Sequence, residues 1–313
     1  EFMQASWDIE EVQAKGIQHL ASFVKDKSAF PYLQTCTEVI TLAMKTHIDS
    51  LDLQVEGCIL LLEILSRALE QGVMVALDES VASCLLHTVR KHSENEVFIS
   101  MLCTLLMMVS ASEVAAENLR KVGIIPDLLS ILRRFLHNDK ICLSCCAVVW
   151  SLAVSEDNAD QAVLASALPV TSAVLQEHLQ NGVVAESACS ALWALALQGC
   201  LTASDYEPTA ALLLDAVRVN PERAVLVKNG CLALASLVRL SETAALAMLL
   251  HPKGSGVELI KEQYHLHLEE PGVAEALCLL MNEMVQYDEV MLDMRSQKVE
   301  KLLCEIKLQF PFS

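Results

Sequence analysis

The sequence predicts an all-α protein built from repeated helical units. The stretch Glu186–Ala196 spreads small and large apolar side chains over every face of a helix, which is typical of a helix buried between neighbours. A similar pattern recurs along the chain. In addition, 53% of the residues are hydrophobic, with only 10 glycines and 8 prolines, too few breakers for a sheet-rich fold. Together these features favour an α-solenoid, in which each unit buries its apolar side against the next.

The recurrence has a measurable period. If Cys189 is taken as the anchor position of the repeat, the matching anchors are Ile17, Cys58, Met101, Cys146, Cys231 and Cys278. Successive anchors lie 41, 43, 45, 43, 42 and 47 residues apart (58−17 through 278−231). Armadillo and HEAT units have periods of about 40–47 residues, so the sequence predicts an armadillo/HEAT-like right-handed superhelical solenoid of about six to seven repeats.

Each unit has the same predicted order: a short first helix, an amphipathic second helix, a turn, and an inner third helix that carries the anchor. Residues 8–25 form an incomplete N-terminal unit, and Pro31 opens a helix reaching about Thr46, since proline is tolerated in a first helical turn. Gly123-Ile-Ile-Pro126 resembles the Gly-x-Ile-Pro that commonly opens the second helix of armadillo units. The other predicted second helices span 83–92, 125–137, 170–178, 210–218 and 257–267.

We expect one helical-repeat domain over residues 1–313, because a solenoid grows by adding units and has no internal boundary. Residues 299–310 are expected to form a C-terminal capping helix, since a terminal unit must present a polar exterior. Glu1 and Phe2 precede Met3 and are interpreted as a cloning remnant. The residues after Met3 lack the charged and apolar regions of a signal peptide.

The formal charge of −18 indicates which kinds of molecule this chain can bind. Nucleic-acid binding requires clustered Lys and Arg that displace counterions, so no nucleic-acid partner is expected. A protein with a basic surface is the better match, although a negative balance also keeps a soluble protein from self-associating.

Ser187–Ser204 is uncharged and about long enough to cross a bilayer, but Gln198, Gly199 and Thr202 interrupt it. We therefore expect no membrane association.

Five of the 12 cysteines occupy anchor positions inside apolar helical runs. Buried free cysteines behave as small hydrophobic residues, so the sequence favours a reducing, cytoplasmic location over a disulfide framework.

The run Cys142-Leu-Ser-Cys-Cys146 resembles a metal-binding motif. Zinc needs four ligands, usually as two separated pairs, and no second pair accompanies this run. No metal and no cofactor is predicted.

Most of the histidines fall near the last turns of the predicted second helices. At such a position a protonated imidazole faces exposed carbonyls and the negative end of the helix dipole. We therefore interpret these histidines as helix-end residues and not as metal ligands. They are His47, His87, His92, His137, His178, His265 and His267.

The sequence predicts no enzyme. It contains no nucleophile elbow and no glycine-rich phosphate loop after a strand. It also lacks the His-Arg-Asp and Asp-Phe-Gly motifs of protein kinases.

The concave face lined by the third helices is the predicted binding surface. Armadillo proteins that hold extended peptides carry an Asn on successive third helices, five residues after the anchor. Here that position holds Ser22, Glu63, Leu106, Ser151, Ala194, Ser236 and Glu283, and the accompanying Trp one residue after the anchor is missing too. This departure argues against an extended basic import signal and favours a folded or helical partner, while a merely solvated face is an equal alternative. The partner-binding candidates are Glu63, Arg67, Ser151, Ser155, Gln198, Ser236, Arg239, Glu283, Gln286 and Tyr287.

The C-terminal third carries a resemblance to a known family. Arg223-Ala-Val-Leu-Val, Leu234-Ala-Ser-Leu-Val, Ser241-Glu-Thr-Ala-Ala and Gly254–His267 resemble the C-terminal helical region of vertebrate serine/threonine kinase-like-domain proteins, which are pseudokinases. The match is clearest over residues 205–310. The resemblance implies no catalytic motif. It implies instead that this chain is the repeat region of a cytoplasmic pseudokinase, in which a degenerate kinase-like domain precedes the helical array.

Two functions follow as expectations. The first is a non-catalytic scaffold that binds a protein partner through its concave face, or docks the kinase-like domain that the resemblance implies. The second is an intramolecular structural or dimerisation element that regulates that kinase-like domain. Self-association, or binding to the isolated kinase-like segment, distinguishes the second from the first.

Overall fold

The computed structural model describes residues 2–26, 32–33, 35–73, 77–154 and 161–310. Within these ranges the chain forms α-helices joined by turns, and no strand occurs there. The all-helical prediction is therefore confirmed for this part of the chain. The molecule divides into two compact units, Glu1–Asp157 and Asn158–Ser313, and each is described by itself. A single continuous array stays a prediction.

Unit 1 contains α1 (Phe2–Ala5), α2 (Glu10–Ser22), α3 (Thr37–Thr46), α4 (Leu51–Glu70), α5 (Glu79–Lys91), α6 (Glu96–Ser110), α7 (Glu113–Lys121), α8 (Ile125–Arg134) and α9 (Asp139–Val154). Unit 2 contains α10 (Gln161–Ala165), α11 (Leu168–Glu177), α12 (Gly182–Leu197), α13 (Tyr206–Val219), α14 (Ala224–Leu240), α15 (Glu242–Leu249), α16 (Gly256–Leu266), α17 (Pro271–Met284), α18 (Asp288–Ser296) and α19 (Val299–Gln309). The five second helices predicted after residue 80 are confirmed to within a few residues. Pro31 lies outside the described residues, and α3 begins at Thr37.

The helices that carry the anchors, called the third helices from here on, pack on one another in chain order. In unit 1, α2 packs on α4, α4 on α6, and α6 on α9; in unit 2, α12 packs on α14 and α14 on α17. Helix α12 packs on α11 and on α14, so it must bury small and large side chains on more than one side, as its sequence pattern predicts. Cys189, Ala191 and Leu195 are accordingly no more than 1% exposed.

Side-chain caps define the repeat more sharply than the apolar pattern does. The side chains of Ser50, Asn95, Asn138 and Asn181 accept hydrogen bonds from backbone N–H groups in the first turns of α4, α6, α9 and α12. The anchor lies eight residues after its cap in α4 (58−50) and α9 (146−138). By the same spacing the anchor of α6 is Cys103, which is fully buried, and the assignment of Met101 is wrong by two residues. An apolar residue stands at both positions, so composition alone could not separate them.

Histidines at the ends of second helices connect neighbouring repeats. His47, His92 and His267 end α3, α5 and α16 as expected. Each Nε2 atom bonds a backbone carbonyl 40 to 46 residues earlier in the chain. His47 bonds the Trp7 carbonyl at 3.0 Å, His92 the Ile48 carbonyl at 2.7 Å, and His267 the Pro221 carbonyl at 2.7 Å. The helix-end placement is therefore confirmed for these three, but the physical reason differs. The imidazole bonds a carbonyl of the preceding repeat and not the last carbonyls of its own helix.

Asn220 performs the same task at the end of α13, where its Nδ2 donates to the Leu179 carbonyl at 2.9 Å. His87 and His265 behave differently. Their Nδ1 atoms lie 2.7 Å from the carbonyl four residues earlier in their own helices. Two structural roles therefore underlie what looked like one class of histidine.

A buried glutamine holds the turn that precedes α4. Gln54 Nε2 donates to the carbonyls of Met44 and His47 at 2.7 and 3.1 Å, and its Oε1 accepts from Thr88 Oγ1 at 3.0 Å. Gln13 of α2 makes equivalent bonds to the carbonyls of residues 3 and 6. Each glutamine gives a donor to a carbonyl near a helix end, that of Met44 or Met3, whereas the carbonyls of His47 and Ser6 also accept from backbone N–H groups.

Candidate interaction surface

On the third-helix side of unit 1, the predicted residues remain at or near the surface. Glu63 is exposed and Arg67 is half-buried, one turn apart on α4. Ser151 is half-buried near the end of α9. Ser155 lies outside the described residues. The structure therefore does not bring these candidates into one polar cluster.

In unit 2 several predicted residues are occupied by bonds within the chain. Tyr287 Oη donates to the Val238 carbonyl at 2.7 Å, and Gln286 Nε2 donates to the same carbonyl at 3.2 Å. Burial raises the pKa of the Tyr287 phenol, and the charges of Glu242 and Glu283 raise it further. Tyr287 and Gln286 thus close the C-terminal end of α14, so their roles are first of all structural.

The remaining candidates of unit 2 are scattered. Ser236 is buried and its hydroxyl donates to the Leu232 carbonyl of its own helix at 3.0 Å. Arg239 is exposed near the end of α14. Gln198 is half-buried beyond the end of α12, and its backbone carbonyl accepts from Gln161 Nε2 at 3.0 Å.

The same side of unit 1 carries a cavity that the sequence did not indicate. It has a volume of about 400 Å³ and lies between the end of α6, the start of α7 and the end of α9. The Trp150 residue is 39% exposed and Val154 is 49% exposed. The lining residues are Ser110, Ala111, Glu113, Ala116, Trp150, Ser151 and Val154. A half-exposed tryptophan offers a large apolar ring together with an N–H donor, the combination enriched at protein interfaces.

A second cavity of about 330 Å³ shares Ala111 with the first. Its walls are almost wholly apolar, and Leu69 on its edge is 77% exposed. Met107 and Met108 contribute flexible, polarisable side chains that can adapt to a partner. The other lining residues are Leu65, Ala68, Val73, Leu77, Val109 and Ser112. We call the two adjoining cavities the Trp150 groove.

The helices that form the Trp150 groove are more acidic than basic on their exposed faces. Glu63 and Glu70 are exposed on α4, and Glu113 lines the first cavity. Arg67 is the counter-charge on α4. The carboxylate of Glu117 on α7 is already paired with Arg120 and Lys121. An apolar groove with surplus carboxylates nearby fits an apolar partner surface that carries Lys or Arg beside it.

The sequence contained one signal for this groove. Trp150 and Trp193 both stand four residues after their anchors (146+4 and 189+4). A bulky aromatic residue at a repeated, half-exposed position is a reason to look for a binding surface. Leu69 lies in the last turn of α4, and Val73 follows the helix, where its N–H bonds the Ala68 carbonyl. Only the structure places them beside Met107 and Met108.

The cysteine run of α9 belongs to the core. Cys142, Cys145 and Cys146 are fully buried, and Cys145 Sγ lies 3.5 Å from Cys103 Sγ on α6. All 12 cysteines are free thiols. Burial raises the pKa of Cys231 to about 12, so this thiol stays protonated at neutral pH. Over the described ranges, no group of three or more His, Cys, Asp and Glu side chains is arranged to hold a metal ion.

A cluster of charged groups in unit 2 ties the turn after α15 to α13. His251 Nδ1 lies 2.5 Å from Arg218 Nη1 and 3.3 Å from the backbone nitrogen of Lys253. Arg218 Nη2 also donates to the Gly254 carbonyl at 2.5 Å, and Lys253 Nζ bonds Asp215 at 2.8 Å. Two N–H groups directed at Nδ1 require a neutral imidazole. The pKa of His251 is accordingly lowered, mainly because the imidazole is buried and in addition because the Arg218 charge lies beside it.

In the part of the chain that the structure describes, no helix combines the length and the apolar composition needed to cross a membrane. Comparison of the sequence with models of known protein families finds no match.

Proposed function

We propose that this chain is a non-catalytic protein-interaction scaffold with an armadillo/HEAT-like solenoid architecture, and that it binds a protein partner through the Trp150 groove. The successive packing of the third helices within each unit supports the architecture. The single observation that carries the binding function is the half-exposed Trp150 beside two adjoining cavities. Such a side chain is costly to leave in water and contributes strongly when a partner covers it.

The surplus of carboxylates on the surrounding helices indicates the chemistry of the partner. The matching surface has an apolar centre and Lys or Arg at its border, because opposite charges steer association and select the partner. On the resemblance in the C-terminal third, the chain is the repeat region of a cytoplasmic pseudokinase, and the kinase-like domain of that longer protein is one candidate partner. The alternative role, an internal dimerisation or regulatory element, predicts that the isolated chain self-associates.

Affinity capture from cell lysate tests the binding proposal. The wild-type chain, Trp150→Ala and Trp150→Phe are compared after thermal melts confirm that all three are folded. Truncation of a central aromatic residue at an interface costs about 2 kcal/mol or more, so Trp150→Ala should retain at least about tenfold less partner. Trp150→Phe keeps the ring and should retain most of it. Equal retention by a folded Trp150→Ala variant contradicts the proposal.

A charge variant provides an independent control. Glu113→Lys should weaken capture of a basic partner and make the remaining binding less sensitive to salt. Glu207→Lys, on α13 of unit 2 and outside the Trp150 groove, should leave capture unchanged. Capture that both substitutions weaken alike would mean that net charge alone governs the interaction.

A further inference from the structure

Two buried cysteines on different third helices of unit 1 lie in contact. Cys103 of α6 and Cys145 of α9 are both fully buried, and their Sγ atoms are 3.5 Å apart. The two residues are 42 positions apart in the sequence, so it is the packing of α6 on α9 that brings them together. The sulfur atoms of a disulfide lie about 2.05 Å apart, so a link between these thiols requires them to approach by only about 1.5 Å.

The other two thiols of α9 are placed differently. The Sγ atom of Cys142 donates to the Leu136 carbonyl in the turn before the helix, at 3.2 Å. Cys146 is adjacent to Cys145, and neighbouring residues of an α-helix do not face each other. Side chains three residues apart on a helix have Cβ atoms about 5–6 Å apart, farther than the roughly 3.5–4.5 Å that a disulfide spans. Geometry therefore favours Cys103 as the partner of Cys145.

A second pair of neighbouring thiols in unit 1 provides a comparison. Burial raises the pKa of Cys58 on α4, and the nearby Cys84 on α5 raises it further. The Sγ atom of Cys84, however, donates to the Thr41 carbonyl at 3.4 Å. These two thiols are as deeply buried as Cys103 and Cys145, so they are a matched control for the effect of sulfur–sulfur contact.

The closed structure protects the pair in contact. The hydrogen bond with Cys103 and then burial raise the pKa of Cys145, whereas the thiolate is the form that attacks a disulfide. Oxidation therefore requires a local opening in which α6 and α9 separate and the thiols meet solvent. A brief opening is sufficient, because reclosing returns the two sulfur atoms to each other.

We propose that Cys103 and Cys145 are a redox-sensitive pair, which forms a disulfide between α6 and α9 when the chain meets a low-molecular-weight disulfide. In the open state the thiolate of one cysteine attacks the small disulfide, which forms a mixed disulfide and releases one small thiolate. The thiolate of the other cysteine then attacks the protein sulfur of the mixed disulfide and releases the second small thiolate. The protein gives up two electrons and two protons, and the small disulfide is reduced to two thiols.

The disulfide would restrain two walls of the Trp150 groove. Ser110 lies seven residues after Cys103 on α6 (110−103), and Trp150 lies five residues after Cys145 on α9 (150−145). The first cavity is thus about one to two helical turns from the link. The link forms whether or not the groove binds a partner, so its absence would leave the proposed function intact.

Oxidation by glutathione disulfide at mildly alkaline pH, followed by alkylation of the remaining thiols and mass spectrometry, tests the proposal. The tryptic peptide 92–120 contains Cys103 and no other cysteine, so its crosslink to peptide 141–218 identifies the link to α9. We expect this crosslink to be at least about tenfold more abundant than one between Cys58 and Cys84, because groups held in contact react faster. Non-denaturing urea should speed its formation by raising the population of the open state.

Alanine variants identify the cysteine of α9 that takes part. Cys145→Ala should abolish the crosslink of peptide 92–120, whereas Cys142→Ala, on the same helix and equally buried, should retain it. Thermal melts of the reduced variants verify that both are folded, and the crosslink map of the wild-type protein is informative without them.

The melting temperature tests whether the link suits the folded chain. The oxidised wild-type protein should melt at least about 4 °C higher than the reduced protein, because closing a loop of about 42 residues restricts the unfolded chain.

Three outcomes overturn the proposal. The first is a Cys103 that stays a free thiol, with and without urea, under conditions in which the exposed Cys304 is modified by glutathione. The second is a crosslink of peptide 92–120 that persists in Cys145→Ala, which would assign it to another thiol of α9. The third is an oxidised protein that melts below the reduced one, which would show that the link distorts the fold.

Discussion

In unit 1 the buried amide of Gln54, four residues after the cap of α4, holds the turn before that helix. In unit 2 the residues four positions after the caps of α12 and α14 are Ala185 and Val227, which have no side-chain amide. Unit 2 instead links α12 to α14 by an ion pair, in which Arg223 Nη2 lies 2.8 Å from Glu186. Arg223 passes so close to Gly182 that a Cβ there would overlap its Cδ atom. A repeat therefore preserves the places where helices meet, while the chemistry that closes each place differs from repeat to repeat. Within unit 1 the position of Gln54 holds Ile99 in α6 and Cys142 in α9.

The largest expected effect on stability is at Gln54. Gln54→Ala removes three hydrogen bonds from a site with no solvent access, leaves the Met44 carbonyl without its side-chain donor, and opens a cavity. We expect a loss of about 3 kcal/mol in the free energy of unfolding, measured by urea denaturation.

The equivalent truncation in unit 2, Val227→Ala, removes only apolar contacts and should cost about 1–2 kcal/mol. Equal losses for the two variants would mean that the polar network of unit 1 has no special importance, and the contrast between the units would disappear.

A smaller effect is expected at the histidines that join repeats. His92→Ala removes the bond to the Ile48 carbonyl and an edge-to-face contact with Phe98, whose ring centroid is 5.5 Å away. The free energy of unfolding should fall by about 1–2 kcal/mol.

His87 lies on the same helix and is the matched control. It is exposed and bonds only within its own helix, so His87→Ala should change stability by less than about 0.5 kcal/mol. If the two substitutions had the same small effect in chemical denaturation, the proposed link between repeats would be of no energetic importance.

The smallest expected effect is a pH dependence in unit 2. Because the pKa of His251 is lowered in the folded protein, the unfolded chain binds a proton first as the pH falls. The contribution of His251 to stability is therefore fully present above the unfolded pKa of about 6.5, and it is lost as the pH falls below that value towards the folded pKa. We expect a change of about 1 kcal/mol or less between pH 7 and pH 5.

Thermal melts of the wild-type protein and His251→Asn across this pH range measure the effect. The substitution removes the titrating group, so the two melting temperatures should converge as the pH falls. A difference that stays constant would show that His251 does not protonate differently in the folded and unfolded chains.

Much of the fold was readable from the sequence. The period, the apolar third helices and the ends of the second helices all follow from patterns that local geometry imposes on one stretch of chain. What the sequence does not specify is contact between distant stretches. Ser236 looks like a surface residue in the repeat pattern, and the structure buries it. The imidazole of His92 reaches a carbonyl 44 residues away, a partner that no local pattern can name.

The Trp150 groove illustrates the same limit. Its repeated tryptophan position was visible in the sequence, but its depth depends on how the ends of α4, α6 and α9 diverge. Those ends come from stretches that lie far apart in the sequence, and a local pattern does not specify how closely they approach one another.

The central claim is that the Trp150 groove binds a protein partner, and amide hydrogen exchange tests it most directly. The chain is compared alone and with its captured partner bound. The account predicts slower exchange in the segments that line the groove, residues 107–116 and 147–154, with little change along the second helices α5 and α8. Protection confined to α5 and α8, with the groove segments unchanged, would contradict it.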